Sequence, residues 1–178
     1  MITYTRASTE IELLEILRLQ QRNLYDTVSF EERKKEGFVT VSHTLELLTQ
    51  MNDTCPHIIA KASDTIVGYA LCMHPKFGNS IAVLRPMFAE IDLVHPATEP
   101  FMAMGQICID KNYRGQGVFR QLYETMKIEL QSDYSSIITE VDAENTRSLG
   151  AHYAVGFSNL KTYLSDNREW KLLALKTR

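Results

Sequence analysis

The chain has 178 residues, 44% hydrophobic and 23% charged, a balance that excludes disordered and collagen-like classes and suits a soluble globular protein. That length fits one domain, residues 1–178, burying roughly 70% of the surface its unfolded form exposes, so it needs no disulfide or metal to hold it. A formal net charge of -3 argues against a duplex-coating nucleic-acid partner, which would need a stripe of Lys and Arg.

Residues Met1 to Arg6 lack the apolar stretch of a signal peptide. No later run reaches the ~20 apolar residues of a membrane span, so a cytoplasmic protein that meets no membrane is expected. Ile2 to Arg6 reads as a short strand. Thr9-x-x-Glu12 then forms a capping box ahead of Ile11, Leu14, Leu17 and Leu24, which predicts a first helix of about 15 residues. Phe30 to Gln50 is charged, then weakly amphipathic around Leu45, Leu47 and Leu48, which predicts a loop followed by a second short helix.

Ile58-Ile59-Ala60 and Ile66 to Leu71 flank Ser63-Asp64 in the manner of a hairpin with a polar turn. Between Pro75 and Pro100 the pattern is broken by Pro86 and Pro96, and Phe88 to Val94 alternates like a strand. Met104 to Asp110 reads as a buried strand carrying Gly105, a residue that often marks a bulge or a close backbone approach. Val118, Leu122, Met126 and Leu130, with Phe119 and Tyr123, give a helix with one apolar face. Ser136 to Val141 is another strand, Asn145 to Val155 a helix stopped by Gly156, and Phe157 to Leu164 and Trp170 to Lys176 are closing strands.

The segment Arg114-Gly115-Gln116-Gly117-Val118-Phe119 joins a strand to a helix. The first turn of a helix leaves backbone N–H groups without intrahelical partners and carries partial positive charge. Glycines let that backbone come close to a bulky anion, so a pyrophosphate could be held there, with Arg114 adding charge. The plainer alternative is an ordinary glycine-rich turn. A P-loop pattern is missing, as is a complete Gly-x-Gly-x-x-Gly, so the anion is read as part of a CoA-like ligand. Cys55, Cys72 and Cys108 show no Cys-x-x-Cys pairing and read as inert thiols, while His43, His57, His74 and His95 are scattered without ligand spacing. No metal is expected.

Gln106-Ile107-Cys108-Ile109 followed by Tyr113-Arg114-Gly115-Gln116-Gly117 resembles the acyl-CoA signature of the GNAT superfamily of N-acyltransferases, Arg/Gln-x-x-Gly-x-Gly/Ala. Arg114 and Gly117 match it, and Phe119 stands where the family usually has a small residue. Asn145-x-x-Ser148 followed by Gly156-Phe157 is similar to a second family landmark at the expected distance downstream. The resemblance implies an α/β fold of the α+β kind, with a mixed, mostly antiparallel central sheet that splays after a bulged strand. It also implies acetyl-CoA as co-substrate. Main-chain groups of Ile107, Cys108 and Ile109 would then meet the pantetheine amides, Asn145 and Ser148 would line the pantetheine side, and Arg114 to Phe119 would hold the pyrophosphate.

Acyl transfer to an amine needs a neutral nucleophile, a stabilised oxyanion and a protonated leaving thiolate. A lysine-like amine is neutral in only about one molecule in 2,500 at pH 7, so a base is useful. Glu140 and Asp142 share a face of their strand by the two-residue period, as Glu90 and Asp92 would if Phe88 to Val94 were a strand, and Glu140 is preferred. The oxyanion donor would be a backbone N–H near Cys108 or Ile109. For the acid, the resemblance aligns His152 with a position usually held by tyrosine, and Tyr153 follows it; neighbours on a helix point about 100° apart, so one of the two would serve. The acceptor is a small-molecule or protein amine. The competing readings are a non-catalytic acyl-CoA-binding regulatory module and, last, an enzyme acting on an oxygen nucleophile. Edge strands in such a sheet can pair between subunits, so a homodimer and a monomer both stand open.

Overall fold

The structure, a computed structural model, describes residues 1–31, 36 and 38–178. Tertiary contacts gather into two compact units, Met1–Cys72 with Gly105–Met126, and Met73–Met104 with Lys127–Arg178. Seven strands are hydrogen-bonded in the order β1-β2-β3-β4-β5-β7-β6, and the halves of β4 fall in different units.

The first unit begins with β1 (Ile2–Arg6) and α1 (Glu10–Asn23). The capping box forms as expected: Thr9 Oγ1 accepts from Glu12 N–H at 3.2 Å, and Glu12 Oε2 accepts from Thr9 N–H at 3.1 Å. Helical backbone also occurs at Phe30, Glu31 and Glu36, inside the stretch expected to be loop, and part of that expectation lies outside the described residues. The second predicted helix is α2 (Leu45–Thr54), which starts where Thr44 Oγ1 accepts from Leu47 N–H and buries Leu48 and Met51. β2 (Ile58–Ala62) and β3 (Thr65–Met73) form the antiparallel hairpin around Ser63.

β4 (Phe101–Ile109) then leads through a 3-10 turn, Lys111–Tyr113, into α4 (Val118–Leu130). The apolar face of α4 buries Val118, Leu122, Tyr123 and Met126 in this unit. Gly68 permits that packing, because a Cβ there would lie 3.2 Å from Val118 Cγ1 and 3.3 Å from Leu122 Cδ1.

In the second unit the stretch Phe88 to Val94 is not a strand. It belongs to helix α3 (Arg85–Val94), with Pro86 in its first turn and Met87 and Ile91 buried four residues apart. Pro86 supplies the φ of a first helical position and lacks only an N–H that would have no intrahelical partner there. Glu90 and Asp92 therefore do not share a strand face; Glu90 Oε2 pairs with Lys161 Nζ at 2.5 Å and Asp92 is exposed.

β5 (Ser136–Asp142) pairs in parallel with the start of β4, from Phe101↔Ser136 to Ala103↔Ile138, and in antiparallel with β7 (Arg168–Lys176) along its whole length. α5 (Thr146–Ala154) follows β5. β6 (Ser158–Ser165) joins β7 through Asp166 and Asn167, whose φ values of 50° and 59° are those of a two-residue hairpin turn.

Candidate functional site

The residues expected to hold a nucleotide-like ligand lie in the first unit. Along β4, Cys108 is buried while Ile107 and Ile109 are half-buried, as alternation on a strand requires. Gly115 and Gly117 adopt φ of +73° and +83°, and a Cβ built on either meets nothing within 4 Å. Their requirement is therefore conformational, since a side chain at positive φ is strained, while the space above both stays open toward the start of α4. Gln116 Nε2 donates to Asn112 O at 2.8 Å, and Asp110 Oδ1 accepts from Asn112 N–H at 3.0 Å, so the approach to the turn is tied to itself.

Arg114, read from the sequence as a charge for phosphate, makes three hydrogen bonds within the protein. Its Nε donates to Ile109 O at 3.0 Å, one terminal nitrogen to Glu36 Oε2 at 3.0 Å and the other to Asn23 Oδ1 at 2.7 Å. With 17% of its side chain exposed, it clamps the end of β4 to the end of α1. The guanidinium fork is suited to such three-way bonding.

Cys108 is buried beside Tyr69, and burial pushes its thiol up to about 12, with the nearby Arg114 charge pulling the other way. It stays an S–H at neutral pH and offers no thiolate nucleophile. All three cysteines are buried and outside disulfides, and the described residues contain no group of three or more His, Cys, Asp and Glu side chains able to hold a metal ion.

The residues expected to carry acid–base chemistry lie in the second unit. Glu140 sits on β5, and its carboxylate accepts a hydrogen bond from the Tyr163 hydroxyl on β6, across the intervening β7. Burial raises Glu140 to about 7, and the Tyr163 bond opposes that rise. The Tyr163 hydroxyl is held above its ordinary value, first by burial and then by the adjacent Glu140 charge. Tyr163 was not foreseen from the sequence, because nothing local links it to Glu140. Asp142, on the same face, is bonded instead to Arg168 at 3.2 Å.

Asn145 caps α5: its Oδ1 accepts from Ser148 N–H at 3.1 Å. The two candidate acids then part company. His152 is 1% exposed, its Nδ1 lies 2.7 Å from Ser148 O and 3.4 Å from Ser148 Oγ, and its ring meets Phe157 edge-on. A carbonyl only accepts, so Nδ1 carries the proton, and burial lowers His152 to about 4. Tyr153, one residue on, is 45% exposed. The 100° step between helical neighbours sends one ring into the core and the other outward.

A model of the acetyltransferase (GNAT) family matches residues 13–157. No curated protein matches the chain. Among solved structures, the chain is similar to the ribosomal-protein-S18-alanine N-acetyltransferase from Escherichia coli, with 14% identity and a TM-score of 0.65 over 99% of this chain and 94% of that one. It is also similar to the NatC complex bound to Gag peptide and CoA, with 16% identity and a TM-score of 0.70 over 98% of each chain. A third is yncA, a putative acetyltransferase from Salmonella typhimurium with its cofactor acetyl-CoA, with 10% identity and a TM-score of 0.65 over 100% of this chain and 95% of that one. No helix of the described residues is long and apolar enough to cross a membrane.

Proposed function

The chain belongs to the acetyltransferase (GNAT) family, and from that premise we propose that it transfers an acetyl or similar short acyl group from acetyl-CoA to a primary amine by direct attack. The observation that carries this reading is the turn before α4, where Gly115 and Gly117 hold positive φ with open space above them. A pyrophosphate fits such a turn because the first backbone N–H groups of a helix lie unpaired by the helix itself. In this reading Gly115, Gln116, Gly117, Val118 and Phe119 hold the pyrophosphate through their main chain, Arg114 orders the turn, and Ile107, Cys108 and Ile109 meet the pantetheine. Asn145 and Ser148 shape the start of α5 on the pantetheine side.

Glu140 takes the proton that the acceptor ammonium must lose. A carboxylate raised to about 7 by burial is half ionised at neutral pH, where a general base works best. Tyr153 returns a proton to the departing thiolate as the C–S bond breaks and the C–N bond forms. His152 is assigned to packing, since its Nδ1–H is spent on Ser148 O. The protonated Cys108 gives no support to a covalent thioester on the enzyme.

Titration of the purified chain with acetyl-CoA by calorimetry tests the reading. Binding is expected in the parent and should weaken at least tenfold in Gly117→Trp, whose side chain would project into the open space at a strained φ. A folded parent that binds no acetyl-CoA sinks the proposal. Binding with no turnover of any amine would favour the regulatory module.

Tyr163→Phe checks the base separately. Losing the hydroxyl removes the bond that opposes the raised Glu140 pKa, so the rising limb of the kcat/KM profile should move up by roughly one pH unit. An unmoved limb in an active Tyr163→Phe variant would exclude Glu140 as the group that titrates.

A further inference from the structure

Five side chains of the first unit, Gln20, His43, Tyr69, Gln106 and Cys108, meet in a buried run of hydrogen bonds, and two backbone groups fix the direction of its amide bonds. The His43 main-chain N–H can only donate, so the Gln20 atom 2.8 Å from it is Oε1. The other Gln20 atom is then Nε2, a donor, and it lies 2.8 Å from both His43 Nδ1 and Gln106 Oε1. At the far end the Val41 carbonyl can only accept, which independently makes the Gln106 atom 2.8 Å from it Nε2. The two anchors agree. Tyr69 O–H also donates to Gln106 Oε1, at 2.6 Å, and Cys108 meets the Tyr69 hydroxyl.

His43 Nδ1 must therefore offer its lone pair to Gln20, and the neutral ring carries its proton on Nε2. Among the described residues that Nε2–H has no hydrogen-bond partner, although the atom is buried and the residue only 6% exposed. A buried donor gives up its hydration on folding, and native proteins nearly always supply it with an acceptor oxygen in return. The five side chains of the run themselves carry no formal charge, being two amides, a phenol, a thiol that burial keeps protonated and an imidazole that burial keeps neutral. A carboxylate or phosphate brought here would exchange its hydration for a single neutral donor, whereas a water or carbonyl oxygen gives up far less.

We propose that His43 Nε2–H is a binding site for one neutral oxygen atom, supplied by an ordered water or by an amide carbonyl on the acyl acceptor. The second source rests on the acyltransferase reading. Its support is that Gln106, two hydrogen bonds from His43, immediately precedes the Ile107 to Ile109 main chain assigned to the pantetheine.

Nitrogen-15 spectra of the histidine side chains in the full chain decide the matter. His43 is expected in the Nε2–H form at pH 7.5, with that proton cross-relaxing with water. Alaninamide added with CoA should remove the water contact and shift Nε2, while alanine, the same amine with a carboxylate, should not. His43→Asn places an amide oxygen where Nδ1 accepts from Gln20 and removes the donor at the Nε2 position. Its affinity for alaninamide should fall roughly fivefold, with that for alanine unchanged. A water contact undisturbed by alaninamide assigns the site to water alone. An Nδ1–H tautomer, or an Nε2–H with neither water contact nor response to alaninamide, overturns the proposal. None of these readings needs turnover, so they stand apart from the acetyl-CoA titration that tests the acyltransferase reading.

Discussion

Arg114→Met is expected to lower the stability of the chain by about 3 kcal/mol, measured as a fall in the urea midpoint at unchanged slope. Three partners lose their donor at once: Ile109 O, Glu36 Oε2 and Asn23 Oδ1. Asn23 suffers most, because it is buried and its Nδ2 is committed to Leu19 O at 2.8 Å, so the amide cannot turn to find another partner. Glu36 suffers least; at 36% exposure its carboxylate regains water, and Glu36→Gln should cost below about 1 kcal/mol. Arg114→Lys should recover no more than about one third of the loss, since an ammonium cannot span three acceptors in the plane of a fork. Full recovery by lysine would show that charge alone is at work. The same variants separate two ways in which Arg114 could serve a pyrophosphate. If it acts by ordering the turn, affinity for acetyl-CoA should follow the urea midpoint; if it acts by charge, lysine should restore affinity without restoring stability.

That clamp was beyond the reach of a sequence reading. Arg114 stands beside two glycines, and the local pattern invites a phosphate contact, yet two of its three partners lie 78 and 91 residues earlier in the chain. The elements themselves were legible where one local device decides them. Thr9 and Glu12 announce α1, the Val118 to Leu130 spacing announces α4, and Ser63-Asp64 between two apolar runs announces the hairpin. Where two periods compete, the outcome differed. Glu90 and Asp92 alternate with Ala89, Ile91 and Leu93, but Met87 and Ile91 also repeat at four, and Pro86 at the start of α3 tips the balance toward helix.

Chemistry was legible in the same uneven way. The glycine turn could be read because its requirement, positive φ ahead of a helix, is local. The choice between His152 and Tyr153 could not, because which helical neighbour faces the core is settled by Phe157 and the rest of the packing. Glu140 was preferred on strand alternation, but its pKa is raised by burial and held back by the bond from Tyr163, two strands away, and neither is visible locally.

Acidification is expected to destabilise the chain steeply, and the buried histidines give the reason. His43, His57 and His152 are each lowered from 6.5 to about 4, with burial the main cause. An unfolded histidine takes up its proton near pH 6.5, while the folded ones refuse it until about pH 4. Their contribution is thus fully present above pH 6.5 and is lost as pH falls toward 4. Glu140 acts in the opposite direction: raised from 4.5 to about 7, it holds its proton in the folded state where the unfolded chain has released it, so acidification favours folding at that one site. Between about pH 6.5 and 4.5 three protons taken up by the unfolded chain stand against one held by the native chain. The difference of two gives a slope of about 2.7 kcal/mol per pH unit, or about 5 kcal/mol across the range. For a domain whose whole stability is of order 5–15 kcal/mol, that is enough to bring a marginal fold close to its midpoint. Urea titrations at pH 7.5, 6.0 and 5.0 measure it directly. His43→Asn removes one of the three histidines and should halve the slope, while a parent stability that stays flat from pH 7 to 5 would mean that the three rings are not held neutral in the folded chain.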